Sequence, residues 1–255
     1  MLIDTHSHYN DEKLLPHTAD LLSAARKLGV GKVVNVGYDL ESSLTAVKQA
    51  EKFENMYAAV GIHPHDADTL NKENTDNLIK LSGHKKVVAI GEAGLDYYYD
   101  KDTKDIQKET FIKQIELANF LGLPLIVHSR DAHKDTFDIL SQHKLNKGGI
   151  MHCYASSAEM VKGYADLGFY FSFCGVITFK NYKNYEAVKA VPSDRLLIET
   201  DCPYMTPEPR RGEINSSVNL PLVFGKLADI LSADKEELEL TLEINSKKIY
   251  RITEE

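Results

Sequence analysis

Eight short apolar runs, each followed by a longer amphipathic or polar segment, constrain the fold of this chain more than any other feature: LID before His6, KVVNVG, YAAVGI, VVAIGE, LPLIVHS, GGIMHC, FYFSF and RLLIET. Runs of continuous Val, Ile, Leu and Ala are what strands buried on both faces require, because helices cover both sides of a parallel sheet. The intervening segments carry helical spacing; over 104–121, Phe111, Ile115, Ala118 and Leu121 fall on one stripe. Alternating strand and helix in eight units predicts an α/β fold, a (β/α)8 TIM barrel, with an open doubly wound sheet as the alternative that periodicity alone leaves open. No linker, repeat or low-complexity segment divides the chain, so one domain over 1–255 is expected.

After the eighth run, the polar stretch 203–218 with Pro203, Pro207 and Pro209 reads as a long loop. Two further helical patterns follow. Ser232 is the expected N-cap of the last, and Leu238, Leu242 and Ile249 form its apolar face.

His, Asp and Glu gather at the C-terminal ends of these strands. His6 and His8 end the first, His63 and His65 follow the third, Glu92 ends the fourth, His128 the fifth, His152 the sixth and Asp201 the eighth. Taken singly, a strand-end histidine is more often a hydrogen-bonded structural residue than a ligand. Six of ten histidines at one rim is a different matter, because His17, His84, His133 and His143 supply the scattered placement a surface would show. Positions i and i+2 of a strand share a face, so His6 and His8 can reach one point. Glu92 and Asp201 follow apolar runs, where a carboxylate needs a cation or hydrogen-bond donors. Four imidazoles and two carboxylates exceed what one tetrahedral ion takes, so two divalent ions sharing a carboxylate fit the inventory better. Ligand type leaves magnesium, manganese or zinc open.

His63 and His65, in GIHPHD, read equally as loop-shaping or substrate-contacting residues, and Arg130 and Arg211 as candidate anion contacts. Tyr97, Tyr98, Tyr99 and Tyr204 are positioned either to stack on bases or to pack their loops. Asp4 and Glu199, each two residues before a candidate ligand, are expected to hydrogen-bond ligand histidines. Alternation aims Cys153 and Cys202 away from the site. Three cysteines make no disulfide framework and fit a reducing compartment. With neither a basic leader nor about 18 consecutive apolar residues, the chain is expected in the cytoplasm and off membranes. Phosphate-binding glycine loops, dinucleotide fingerprints and Gly-x-Ser-x-Gly elbows are absent from the sequence, so no organic cofactor is expected and a serine hydrolase is disfavoured.

The segments DTHSH (4–8), GIHPH (61–65), GEAGLDYY (91–98), HSRDA (128–132), HCY (152–154), ETDCPY (199–204) and INSKKIY (244–250) resemble the signature segments of the TatD family of metal-dependent deoxyribonucleases, within the amidohydrolase-like barrels. The resemblance implies a barrel holding two ions: His6, His8, Glu92 and Asp201 on one, Glu92, His128 and His152 on the other, with Glu92 bridging. It further implies phosphodiester hydrolysis, a 3′ to 5′ exonuclease on single-stranded DNA ends, usually supported by magnesium, with a proposed part in DNA repair. Asp201 and Glu92 would be catalytic, Asp201 as general base, and His63, His65, Arg130 and Arg211 would position the phosphate. Where the family commonly reads Arg-Gly-x-x-Asn-Glu-Pro, this chain has RGEINSS, with Ser216 and Ser217 replacing Glu-Pro. A net charge of -8 (38 acidic, 30 basic residues) argues against a basic surface gripping long duplexes and favours short or single-stranded ends. The alternative is a hydrolase of small esters, amides or phosphoesters on the same barrel.

Overall fold

In the computed structural model, which describes residues 1–99 and 103–253, eight parallel strands run in sequence order from first to last. They are β1 (Leu2–Ser7), β2 (Val30–Val36), β3 (Met56–Val60), β4 (Val87–Asp96), β5 (Leu125–Arg130), β6 (Gly149–Met151), β7 (Phe169–Phe173) and β8 (Leu196–Ile198). Helices α1 (Thr18–Lys27), α2 (Leu40–Lys52), α3 (Lys72–Ser82), α4 (Lys104–Leu121), α5 (His133–Gln142), α6 (Ala158–Asp166), α7 (Tyr185–Ala190) and α8 (Leu220–Leu231) follow the strands in turn, and α9 (Lys235–Tyr250) comes last. This is a (β/α)8 barrel, built from the strand and helix alternation in the sequence. Of the unit expected over 1–255, residues 100–102 and 254–255 lie outside the described residues.

Alternation along the strands splits the apolar residues into two clusters. Val34, Val36, Ala59, Ala89, Ile126, Ile150 and Leu197 fill the barrel interior, and Ile249 and Tyr250 from the end of α9, with Ile252 just beyond it, join them. Tyr250 also donates its hydroxyl to the Thr5 carbonyl (2.8 Å), so α9 plugs the end of the barrel where the strands begin. The intervening positions, such as Val33, Val60, Ile90, Val127, Phe171 and Phe173, face the helices in the second cluster with Phe111, Ile115 and Leu242.

Barrel closure is made beyond the last strand. The Asp201 N–H donates to the His6 carbonyl (2.9 Å) and the His8 N–H to the Cys202 carbonyl (2.7 Å), so the loop after β8 zips onto the end of β1.

Two local expectations are corrected. Ser232 does not cap α9; it takes a left-handed conformation (φ 50°) that ends α8, and Asp234 caps α9, accepting from the Glu236 and Glu237 N–H groups. An aspartate two residues nearer the helix reaches its free amides better than the serine can. Likewise β4 does not end at Glu92 but runs on to Asp96. Gly91 and Gly94 (φ 126° and 148°) interrupt its apolar pattern without breaking it; a Cβ on Gly94 would sit 2.0 Å from the His128 carbonyl oxygen, so only glycine lets β4 and β5 approach there.

Candidate metal centre

At the strand C-termini, side chains from five strands or their following loops converge on Glu92 of β4, whose two oxygens serve two sets of donors. On the Oε2 side, His6 Nε2 and His8 Nε2 lie 3.1 Å apart, at 3.4 and 3.8 Å from Glu92 Oε2, and at 3.8 and 3.5 Å from Asp201 Oδ1. On the Oε1 side, His128 Nδ1 lies at 2.8 Å, His152 Nε2 at 3.5 Å and His63 Nε2 at 4.0 Å. A tetrahedral ion with bonds near 2.0–2.1 Å holds its ligands roughly 3.3 Å apart, so the first set already has the spacing such an ion demands. Imidazole nitrogens crowded this closely without a shared cation would repel or desolvate one another, and the donor set therefore fits divalent metal. Three groups of ligand atoms lie close enough to hold an ion, His6 with His8 and Glu92, His6 with His152 and Asp201, and His63 with Glu92 and His128, so His152 stands between the two sides of Glu92.

Charge follows from this packing. Burial works against the ionised form of Glu92, but the neighbouring His152 and His6 hold its carboxyl well below the usual range; burial opposes the ionised Asp201 too, and His152 with His8 lowers its pKa. Burial also opposes a charged His152, yet Glu199, Glu92 and Asp201 push its pKa up to about 10. His63 goes the other way: burial and the adjacent His128 lower it to about 3, leaving a neutral imidazole. Both carboxylates thus enter as anions able to bind cations, and His63 as a neutral donor.

Outer contacts fix the rings. His8 Nδ1 donates to the Val36 carbonyl (2.8 Å). His128 Nε2 lies 3.2 Å from Asp96 Oδ2, and the same oxygen is 3.2 Å from His65 Nε2. His152 Nδ1 sits 2.8 Å from Glu199 Oε1, an ion-pair contact off the line of a good hydrogen bond. Glu199 therefore meets a candidate ligand histidine as expected. Asp4 does not: it accepts from the Thr200 N–H (2.9 Å), the Thr200 hydroxyl and the Ser217 hydroxyl (both 2.6 Å). The β1–β2 ladder shifts register between Asp4 and Ser7, so simple alternation does not carry from Asp4 to His6. The departure at Ser216–Ser217 thereby has a structural role, since Ser217 ties the loop after β8 to β1.

Above the donors opens a cavity of about 510 Å³, lined by Tyr38, His65, Asp66, Tyr99, Arg130, Tyr204 and Met205 as well as the donors themselves. Arg130 lies over Tyr98 and Tyr99, 4.0 and 4.8 Å from the ring centres. Arg211 is not part of this wall; it packs 3.9 Å over Phe179 and donates to the Thr206 carbonyl (3.1 Å). Tyr97 donates to Asp135 (2.9 Å) and packs its loop, whereas Tyr99 and Tyr204 face the cavity. Asp96 and Tyr38 were not singled out from the sequence. Asp96 lies four residues after Glu92 on a strand whose continuation Gly91 and Gly94 disguise, and Tyr38, a lone tyrosine after β2, carried no signal. Cys153 also departs from expectation. A positive φ (41°) at the end of β6 turns it toward Cys174, with which it forms a disulfide, instead of out to the helices. Cys202 is buried, as alternation implies.

Comparison with known proteins agrees with this geometry. A family model described as TatD related DNase matches residues 3–251. The chain is 43% identical over 254 residues to YabD of Bacillus subtilis, described as an uncharacterized metal-dependent hydrolase, covering 99% of this chain and 100% of that protein. It is 35% identical to YcfH of Escherichia coli, described in the same words, covering 98% and 96%. Among solved structures, YjjV, a TatD homolog from Escherichia coli, superposes with a TM-score of 0.94 at 27% identity, covering 99% of this chain and 98% of that one.

Proposed function

Because this chain belongs to the family of TatD related DNases and is a metal-dependent hydrolase, we propose that it hydrolyses phosphodiester bonds of DNA, acting as a 3′ to 5′ exonuclease on single-stranded ends with two divalent ions. The observation that carries this reading is the convergence of two donor sets on the opposite oxygens of Glu92, at the floor of a cavity walled by Arg130, His65 and tyrosines. His6, His8, Glu92 and Asp201 would hold one ion; Glu92, His128 and His152, with His63 beside them, the other.

Divalent ions bound there supply positive charge for a phosphoryl oxygen and make a water easier to deprotonate. Asp201, ionised and aimed at both donor sets, is placed to take that proton as general base. Arg130 at the wall offers a guanidinium to a non-bridging phosphate oxygen, and His65, held by Asp96, a second donor. Tyr99 and Tyr204, 66% and 47% exposed, present ring faces on which unpaired bases can stack. A local anion site of this size suits a strand end better than a long duplex, in keeping with the acidic chain.

The test is digestion of 5′-labelled and 3′-labelled single strands by protein stripped of metal and then given magnesium, manganese or zinc, beside a His152→Ala control. A descending ladder from the 5′ label, immediate mononucleotide release from the 3′ label, and loss of both in the variant are expected. No cleavage with both ions bound would overturn the nuclease reading and leave small esters and amides as substrates.

A further inference from the structure

Cys153 and Cys174 stand 21 positions apart in sequence but at the ends of neighbouring strands, with Cα atoms 5.4 Å apart and their sulfurs joined. A chain with a barrel interior and a full helical shell has a large core of its own and does not depend on one disulfide as a small disulfide-dense domain does. The position of this pair is specific. Cys153 directly follows His152, and its N–H donates to Glu199 Oε1 (2.7 Å), the oxygen that also lies 2.8 Å from His152 Nδ1. The two cysteines line a cavity of about 250 Å³ whose wall includes His128, His152 and Asp201. Cys153 is partly exposed there, and Cys174, 1% exposed, lies behind it.

We propose that Cys153 and Cys174 form a reversible dithiol–disulfide pair whose oxidation state sets how firmly His152 is held beside Glu92. The pairing stands on geometry alone; its effect on metal rests on the reading of His152 as a donor. A low-molecular-weight disulfide such as oxidised glutathione is a sufficient oxidant. The Cys153 sulfur attacks one sulfur of that disulfide, releasing one glutathione that carries off the proton. The Cys174 sulfur then attacks Cys153 in the mixed disulfide, loses its own proton and expels the second glutathione. Two protein thiols are oxidised and one small disulfide is reduced to two thiols. In the closed form the ends of β6 and β7 are tied together, and the backbone amide of Cys153 is fixed on Glu199. Opening the bond releases that tie one residue from the imidazole.

The experiment equilibrates the whole protein in glutathione buffers of graded ratio, then alkylates the thiols under denaturing conditions and reads intact mass. Wild type is expected to lose two alkyl groups together on oxidation and regain them on reduction, with buried Cys202 as the constant third. Cys174→Ser is expected to lose no such pair. A pair that stays alkylatable in every buffer, or that is protected until a chelator rather than a reductant is added, overturns the proposal. Manganese retention against a chelator is then followed in the same samples. Reduced wild type and Cys174→Ser are expected to release one ion per chain roughly three- to tenfold faster than oxidised wild type, less than the loss of an outer-shell partner would cause. Equal release rates overturn the link to His152. Failure to bind manganese in either state would instead count against the metal reading, while the alkylation result stands on its own.

Discussion

The two donor sets around Glu92 are built from the same residue types but are braced differently. His6 lies in β1 and His8 just beyond its end; His8 is braced by backbone, its Nδ1 donating to the Val36 carbonyl, while His6 Nδ1 is buried with no hydrogen-bond partner among the described residues. His128 and His152 come from separate strands and are braced by carboxylates, Asp96 and Glu199. A neutral carbonyl orients a ring; a carboxylate also raises the ring's basicity. The comparison implies one set whose two histidines are placed by the end of β1 and another whose histidines depend on two charged residues behind them.

The largest effect should come from removing what the two sets share. Glu92→Gln is expected to lower hydrolysis at least about a thousandfold, roughly 4 kcal/mol of barrier, and to cost both ions in a metal analysis. Retention of one ion at wild-type affinity would separate the sets and break the comparison. Next, stripping metal from the protein should lower its melting temperature: each site filled at a hundred times its Kd contributes about 2.7 kcal/mol, and calorimetry with increasing manganese should resolve two unequal contributions. Asp96→Asn and Glu199→Gln should then each weaken one ion by about 10- to 100-fold and spare the other, read by competition with a chromogenic chelator. If both ions weaken alike, the carboxylates do not belong to one set. Smallest is Asn10→Ala. Asn10 shares the Val36 carbonyl with His8, donating at 2.9 Å, and its loss should change affinity at the first set by less than about tenfold, the worth of about one hydrogen bond.

What the sequence conveyed divides along the same line. His6 and His8 were legible because two residues on one strand face need only local alternation to meet. His128, His152 and Asp201 were legible as strand ends, since apolar runs mark where strands stop. Asp96 was missed because Gly91 and Gly94 disguise the continuation of β4, and the Cys153–Cys174 contact because it joins two strands whose pairing no local pattern encodes. Arg211 looked like a cavity residue from its place in the loop after β8, yet Phe179 and the Thr206 carbonyl engage it elsewhere. Local periodicity finds elements and their faces; it does not say which long side chain prefers a ring to a cavity.

The closure of the barrel through Asp201 and Cys202 onto His6 and His8 has a consequence for how the protein is made. His6 and His8 are translated long before Asp201. A nascent chain that has emerged only through β7 carries five of the six donors but neither Asp201 nor the seam that brings β1 home. The centre therefore comes together only once the segment after β8 meets the end of β1, and a copy synthesised only through β7 lacks it.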